Sequence, residues 1–286
     1  MKSYPHLFAK LFASPLMLHA PVRTSFESQL MSRMLGESAP MAVHISKPRA
    51  DDGGCEDMKE RVADIYTRYG NIAVITIDGV IDKRISSFEM SCYGGVDLSD
   101  VDSALAQAAN DPRVDTVVLD INSPGGSVIG VPDTAKRIAD LRATKEVHAY
   151  INVMACSAGY YLASQADVIA ASPSAIVGSI GVYCAILDAS SYYANEGLKM
   201  QFIKAGEFKT MGTEWRPLTP DEVKILQDGV NTNYAQFKAA CTALRPIEDS
   251  TMQGQWFTAE EGQRLKLVDQ ITGATLDEYV SSLLLA

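Results

Sequence analysis

The sequence is poor in the residues that build metal sites and disulfide frameworks. Its five cysteines are widely spaced with no Cys-x-x-Cys pair, and its four histidines stand apart from them. This spacing excludes the common zinc motifs and argues against a disulfide-stapled secreted domain. We therefore expect no metal, no cofactor and a reducing compartment.

Positive charge and long apolar runs are scarce as well. The chain has 25 basic and 35 acidic residues, a formal net charge of −10, whereas nucleic-acid binding requires a basic surface. No apolar run approaches the ~20 residues that a membrane span needs. The first twenty residues also lack the apolar core of a signal peptide. These absences predict a cytoplasmic protein with no membrane span and no nucleic-acid partner.

What the sequence does contain is an alternation of apolar β-branched runs with helical patterns of about ten residues or more. This alternation predicts an α/β fold with a mostly parallel sheet. The predicted strands are residues 71–77, 114–121, 148–153, 168–171, 179–186 and 200–203. The main predicted helices are residues 99–110, 131–143 and 219–244, the last with Pro220 at its first position.

The chain divides into four predicted parts. Residues 1–36 form a helical N-terminal arm, because Leu7, Phe8, Leu11 and Phe12 repeat at helical steps. Residues 37–69, rich in Gly, Pro, Ser and Asp over their first half, form a linker and a lead-in helix. The body spans residues 70–275, and residues 276–286 form a C-terminal helix or tail.

Ser157 lies between an apolar run and a helical pattern that starts at Ala158. A strand that turns sharply into a helix there would present the serine hydroxyl at the start of the helix. Serine is a preferred N-cap residue, so a helix cap is the simpler interpretation of this position alone. A serine nucleophile needs a base as well. The position therefore leaves two interpretations, a cap and a nucleophile.

A second informative turn, Asn-Ser-Pro-Gly-Gly at residues 122–126, follows a predicted strand and precedes a helix. Adjacent glycines permit backbone torsions closed to other residues and close approach of a ligand to main-chain N–H groups. The turn lacks the Lys-Ser/Thr of a P-loop and the spacing of a dinucleotide motif. An oxyanion hole fits better, and an ordinary strand–helix turn is the alternative.

A base for Ser157 must be a histidine or a lysine. His6, His19 and His44 lie in the arm and linker, and His148 lies within a predicted strand, so none occupies a loop near Ser157. Lys209 lies in a glycine-bounded loop between Phe208 and Met211, where burial would lower the pKa of a lysine toward neutrality. Lys204 is the second lysine of this region, and a solvated surface cation is the alternative for both.

Four motifs in a fixed order resemble the signal peptide peptidase A family of serine proteases, in the Clp protease/crotonase superfamily. The resemblance covers residues 70–275 and extends to Trp-Phe-Thr-Ala-Glu-Glu at 256–261 and Leu-Val-Asp at 267–269. The four motifs are Asn-Ser-Pro-Gly-Gly at 122–126, Ala-Cys-Ser-Ala-Gly-Tyr-Tyr at 155–161, Gly-Ser-Ile-Gly-Val at 178–182 and Gly-Glu-Phe-Lys-Thr at 206–210.

The resemblance implies a fold of repeated ββα units, a serine endopeptidase activity and a Ser–Lys dyad. Ser157 would be the nucleophile and Lys209 the general base, while the N–H groups of Gly126 and Ala158 would form the oxyanion hole. The expected cleft is walled by small and apolar residues that would bind an extended peptide, namely Gly125, Ser179, Ile180 and Val182. Ala158 and Lys266 stand where the family often has glycine.

The segment Leu-Phe-Ala-Ser-Pro-Leu-Met-Leu-His-Ala-Pro at 11–21 resembles the N-terminal arm of phage and prophage head proteases of this family. That likeness implies processing of capsid and scaffold proteins, in the host cytoplasm or inside the prohead, by a homo-oligomeric ring. The alternatives are a cytoplasmic protease of the same family that degrades peptides, a crotonase-like acyl-CoA enzyme, and a non-enzymatic scaffold on a dead protease fold.

Overall fold

The computed structural model of the chain describes residues 16–18, 62, 64–85 and 95–285. Its strands are β1 (Leu16–Leu18), β2 (Tyr66–Tyr69), β3 (Ile72–Asp78), β4 (Ile81–Asp82), β5 (Val96–Asp97), β6 (Thr116–Ser123), β7 (Gly125–Ser127), β8 (Glu146–Cys156), β9 (Val168–Ala171), β10 (Ile176–Gly178), β11 (Trp256–Thr258) and β12 (Gln270–Ile271).

Helices follow many of these strands. They are α1 (Leu98–Asn110), α2 (Val131–Leu141), α3 (Ala158–Ala163), α4 (Ser190–Asn195), α5 (Pro220–Thr242), α6 (Ala259–Arg264) and α7 (Leu276–Leu284). The described part of the chain contains no helix that is both long and apolar enough to cross a membrane.

Two sheets organise the strands. The larger has the order β11-β10-β8-β6-β3-β2, with β9 also paired to β8 and β12 to β9. Its central strands β3, β6 and β8 are parallel, and β2 and β11 are antiparallel additions at its edges. The smaller sheet has the order β1-β7-β4-β5. The succession of β6, β7 and α2 is a ββα unit of the expected kind.

The two halves of strand β8 pair with different strands, and the candidate site lies where β8 ends. Its first half, from His148 to Ile151, pairs with β9, while its last residues, from Met154 to Cys156, pair with β10. Cys156 is thereby aligned with Gly178. The turns that follow β8 and β10 consequently lie side by side.

The core follows from continuous apolar runs in the central strands. Such runs are typical of parallel strands covered on both faces, and β3 and β6 are mostly buried along their whole lengths. One face packs against α1, α2 and α3 in the main core cluster. The other face carries a smaller cluster in which Tyr150 and Val118 pack against Tyr279 and Val280 of α7.

The structure confirms the predicted α/β class and corrects parts of the local interpretation. Leu16–Leu18, within the predicted helical arm, form a strand, because pairing with β7 replaces helical hydrogen bonding. The other arm residues lie outside the described residues. The predicted strand at 200–203 is irregular chain, and the sheet begins at Tyr66 in β2, within the predicted 37–69 segment.

Candidate active site

Ser157 lies in the sharp turn between β8 and α3 and has a backbone conformation that is rare for a non-glycine residue. Its φ is 54° and its ψ is −118°. Residues in such conformations cost on the order of 1–3 kcal/mol and persist where surrounding contacts hold them. The N–H of Ser157 donates to the Gly178 carbonyl at 2.8 Å, and the Ser157 carbonyl accepts from the Tyr161 N–H at 2.9 Å.

Neighbouring side chains of α3 anchor this turn from the interior. The hydroxyl of Tyr160 donates to the Leu267 carbonyl at 2.9 Å, and the Tyr161 ring stacks on Phe237 of α5 with centroids 4.8 Å apart. Leu267 belongs to the Leu-Val-Asp motif. The Leu-Val-Asp motif therefore holds α3, the helix that follows the strained serine, through the hydrogen bond from Tyr160.

The structure tests one of the two interpretations of Ser157, the helix cap. The residue occupies the N-cap position of α3, yet its side chain makes no capping hydrogen bond. A capping serine would accept from an N–H group of the first helical turn. The cap interpretation is therefore wrong for this side chain, and the strained backbone is not explained by helix capping.

The Gly-Gly turn in β7 leaves no room for side chains. A Cβ atom on Gly126 would lie 1.8 Å from the Ile81 carbonyl oxygen. Gly125 has a φ of 100°, and its N–H donates to the Ser123 hydroxyl at 3.1 Å. That hydroxyl donates in turn to the Gly79 carbonyl at 2.6 Å. Buried Ser123 therefore fixes the turn and occupies the N–H of Gly125.

The two turns converge at Gly125. A Cβ atom on Gly125 would lie 2.8 Å from the Ser157 Cβ and 3.0 Å from the Ala158 backbone nitrogen. The structure thus brings together three residues that the sequence analysis selected separately. Gly159 is confined as well, because a Cβ there would approach the Ser123 carbonyl oxygen at 3.0 Å.

The expected cleft residues follow β10. Ser179 has a φ of 54°, and its N–H donates to the Gln255 carbonyl at 2.6 Å. Ile180 has no exposed surface and belongs to the main core cluster, whereas Val182 is partly buried against that cluster. Ser179 therefore lies beside the Ser157 turn, while the side chain of Ile180 is part of the core.

Lys209 is placed differently. It lies in a turn whose backbone is closed by the Lys209 N–H donating to the Gly206 carbonyl at 3.3 Å, and its side chain is exposed. Within the described residues no hydrogen bond links Lys209 to Ser157. Lys204 is also exposed, and its ammonium donates to the Glu207 carbonyl at 2.6 Å. The structure therefore leaves the Lys209 side chain exposed, whereas Ser157 is buried.

The other nucleophiles and bases near β8 are unsuited to catalysis. Burial raises the pKa of the Cys156 thiol to about 12, so this neighbour of Ser157 stays a neutral thiol. His148 lies near the start of β8, roughly 30 Å along the strand from Ser157, where its Nδ1 is 2.7 Å from the Tyr279 hydroxyl. The other three histidines lie outside the described residues.

Two parts of the site were not anticipated. The motif at 122–126 predicts no role for Ser123, although the hydroxyl of a serine before Pro-Gly-Gly can form a hydrogen bond with the turn that follows it. Strand β1 lies against β7, with Met17 opposite Gly126. Its sequence offers no local signal for this placement.

Comparison with known proteins extends these observations. Residues 139–283 match the model of peptidase family S49. The chain is 29% identical to capsid assembly protease C of Escherichia phage lambda, over 96% of this chain and 64% of that protein. It is 28% identical to head-tail preconnector protein GP5 of Enterobacteria phage P21, over 96% of this chain and 56% of that protein.

More distant similarities cover less of the chain. Protease 4 of Salmonella typhi is 30% identical over 71% of this chain and 32% of its own length. The chain thus spans less than two thirds of the length of these curated relatives. Among solved structures, an enoyl-CoA hydratase from Shewanella pealeana aligns with a TM-score of 0.44 and 11% identity, over 81% of this chain and 76% of that one.

The family match covers half of the chain and includes the turn at Ser157, the segment that follows β10 and the loop that carries Lys209. The chain belongs to peptidase family S49.

Proposed function

We propose that this chain is a serine endopeptidase in which Ser157 is the nucleophile and Lys209 the general base. The observation that carries the proposal is the strained, uncapped Ser157 at the strand–helix turn, packed against Gly125. A serine held at a sharp turn beside backbone N–H groups has the arrangement that acyl transfer requires.

We assign two N–H groups to the oxyanion, and the hydrogen bonding of the residue before each of them supports this choice. The N–H of Gly125 is bonded to Ser123, and that of Ser157 is bonded to the Gly178 carbonyl. Gly126 and Ala158 are the next residues in each turn. Their N–H groups are the donors we assign to the negative charge that develops on the substrate carbonyl oxygen.

The reaction follows the usual two stages of acyl transfer. Ser157 Oγ attacks the peptide carbonyl carbon as its proton passes to neutral Lys209 Nζ. The tetrahedral intermediate collapses, the C–N bond breaks, and the leaving amine takes the proton from the lysine. Water then hydrolyses the ester, with Lys209 acting again as base, and frees the Ser157 hydroxyl.

Lys209 reaches Ser157, in this proposal, from a neighbouring subunit. The segment before it exposes a set of apolar side chains, and clustered apolar exposure marks a surface that a partner covers. These exposed residues are Leu198, Met200, Phe202, Ile203 and Phe208. Covering them would also shield from water the exposed side chain of Lys209, the residue that follows Phe208. A homo-oligomeric ring supplies such a neighbour.

The substrates we propose are extended segments of capsid and scaffold proteins, cut after small or apolar residues during prohead maturation. The names of two relatives, the capsid assembly protease of phage lambda and the head-tail preconnector protein of phage P21, support this substrate class. The working place would then be the host cytoplasm or the interior of the prohead. Peptide degradation of a more general kind is the outcome that the experiment must separate from it.

The test is co-expression with candidate capsid and scaffold proteins, followed by mass spectrometry of the new termini. We expect defined cuts that Ser157→Ala and Lys209→Ala each reduce by at least about 1,000-fold. Exposed Ser174→Ala and Lys224→Ala are the matched controls and should cut normally. Undiminished cutting by Ser157→Ala would overturn the nucleophile, and cuts spread over unrelated proteins would overturn the capsid substrates.

A further inference from the structure

The chain's own strand β1 lies in a groove beside Ser157. On one side it pairs antiparallel with β7, with Leu16 opposite Ser127 and Met17 opposite Gly126. On the other side Leu16 pairs with Tyr183, because the Leu16 N–H donates to the Tyr183 carbonyl at 2.8 Å and the Tyr183 N–H donates back at 3.2 Å. Strand β1 thus lies between β7 and Tyr183 and pairs with both.

The backbone of Met17 faces the proposed oxyanion hole. Successive residues of a strand direct their N–H and C=O groups to opposite edges. Leu16 directs both groups to Tyr183, so Met17 directs both to β7, where its register partner is Gly126. The N–H of Gly126 is one of the two donors assigned to the oxyanion.

The position of the Met17 carbonyl agrees with this orientation. A Cβ atom on Gly125 would lie 2.1 Å from the Met17 carbonyl oxygen, 2.8 Å from the Ser157 Cβ and 3.0 Å from the Ala158 nitrogen. These three atoms surround one methyl-sized space. The carbonyl of Met17 therefore shares that space with the nucleophile and with the second oxyanion donor.

We propose that the groove between β7 and Tyr183 is the peptide-binding groove and that Leu16–Leu18 fill it as an internal substrate mimic. Met17 takes the place of the residue on the amino side of the scissile bond. A peptide substrate must displace β1 before it binds. The assignment of the scissile position rests on the proposed function, whereas the occupancy of the groove does not.

The burial of β1 indicates what the groove accepts. Leu16 and Met17 are 5% and 1% exposed, and Met17 belongs to the main core cluster. The groove therefore takes apolar side chains, which matches the expected preference for small or apolar residues before the cut.

A reversible lock tests the occupancy, because its oxidised and reduced forms carry the same side chains and differ only in the cross-link. Leu16→Cys and Tyr183→Cys, in a Cys184→Ser and Ser157→Ala background, place two thiols at an antiparallel pair close enough for a disulfide. The probe is a fluorescent peptide with the sequence of residues 12–22, Phe-Ala-Ser-Pro-Leu-Met-Leu-His-Ala-Pro-Val. We expect the oxidised protein to lose binding at least tenfold and the reduced protein to regain it. Equal binding by both forms would overturn the proposal.

Release of β1 provides the opposite test. Leu16→Pro removes the N–H that donates to Tyr183, and Met17→Asp places a charge in a buried site. In the Ser157→Ala background both variants should bind the peptide at least tenfold more tightly, whereas Val223→Asp, at an exposed site of α5, should not. Unchanged affinity in variants that keep the parent melting temperature would contradict an occupied groove.

The same peptide tests the register. With Ser157 restored, the Leu16→Pro variant should cut it between the methionine and the second leucine, the residues that match Met17 and Leu18. A cut at another bond would overturn the register. Tight binding with no cut by any variant would instead count against the proposed activity, and it would leave the assignment of the groove standing.

Discussion

Gly125 and Ser157 approach each other so closely that a Cβ atom on Gly125 would lie 2.8 Å from the Ser157 Cβ. The φ of Gly125 is 100°, a region that side-chain-bearing residues rarely adopt. The contact joins the turn after β6 to the turn after β8. The geometry of the site therefore depends on the absence of one methyl group.

Gly125→Ala should accordingly damage both fold and activity. We expect the free energy of unfolding to fall by at least about 2 kcal/mol and peptide cleavage to fall about 100-fold or more, because Ser157 must move. Urea denaturation and a peptide-cleavage assay provide the two measurements. Gly229→Ala is the matched control, since no atom lies within 4 Å of its Cβ position in α5, and it should stabilise by about 0.5–1 kcal/mol. Near-normal activity of Gly125→Ala would refute the close approach.

Mixing two inactive variants tests whether the dyad is shared between subunits. Ser157→Ala and Lys209→Ala should each be inactive alone. After subunit exchange, mixed oligomers should recover part of the wild-type activity, because some interfaces then hold an intact Ser157 and an intact Lys209. Exchange is verified separately with two fluorescent labels. Proven exchange without recovery would mean that each chain completes its own dyad.

Asp120 is expected to weaken the fold at neutral and alkaline pH. Its burial raises its pKa to about 6, with a further contribution from the charge of Asp78. The unfolded state binds fewer protons than the folded state between about pH 4 and 6, so stability decreases as the pH rises through that window. Asp120→Asn should therefore be more stable than the wild type by about 2 kcal/mol at pH 8, and should show no gain below about pH 4.

Thermal unfolding over a pH series measures the Asp120 effect. Asp228→Asn, at an exposed position of α5, removes the same charge and should change stability little at any pH. A gain for Asp120→Asn that is equal at pH 3 and pH 8 would show that titration is not its cause.

Arg245 should be among the most sensitive positions of the fold. Its side chain is 4% exposed, and its guanidinium donates to Asp269, which is 39% exposed, and to the buried carbonyls of Ser164 and Ala166. Arg245→Met leaves these two carbonyls without their donor, and each buried group left unsatisfied costs about 1–3 kcal/mol.

The surface pair of Lys238 and Asp249 is the control for this loss. Its side chains are 30% and 68% exposed, and Lys238→Met should cost under about 1 kcal/mol. Urea denaturation gives both values. Equal losses at the two pairs would contradict the importance we assign to burial.

Much of the local structure was predictable because short-range rules decide it. Pro220 occupies the first position of α5, as the helix-start pattern predicts, and Thr219 and Glu222 form a capping box there. The apolar runs of β3 and β6 lie within two residues of their predicted places. Lys266 has a φ of 68°, a conformation that favours glycine, as the family resemblance implies for this position.

Predictions failed where pairing between distant segments overrides local preference. Leu16–Leu18 lie within a pattern of helical spacing, yet they form a strand because β7 and Tyr183 offer hydrogen bonds on both edges. The predicted strand at 200–203 has no such neighbour among the described residues and stays irregular. Apolar spacing alone cannot distinguish these two outcomes.

The sequence by itself determined which residues could form the site, because glycine pairs, a serine before a helix and apolar runs are written in the residues themselves. Only the tertiary structure decided that Ser157 is uncapped, that its turn meets the Gly125 turn, and that a single chain leaves Lys209 exposed. The physical reason is that each of these facts depends on contacts between segments far apart in the chain, and those contacts form only when the sheets assemble.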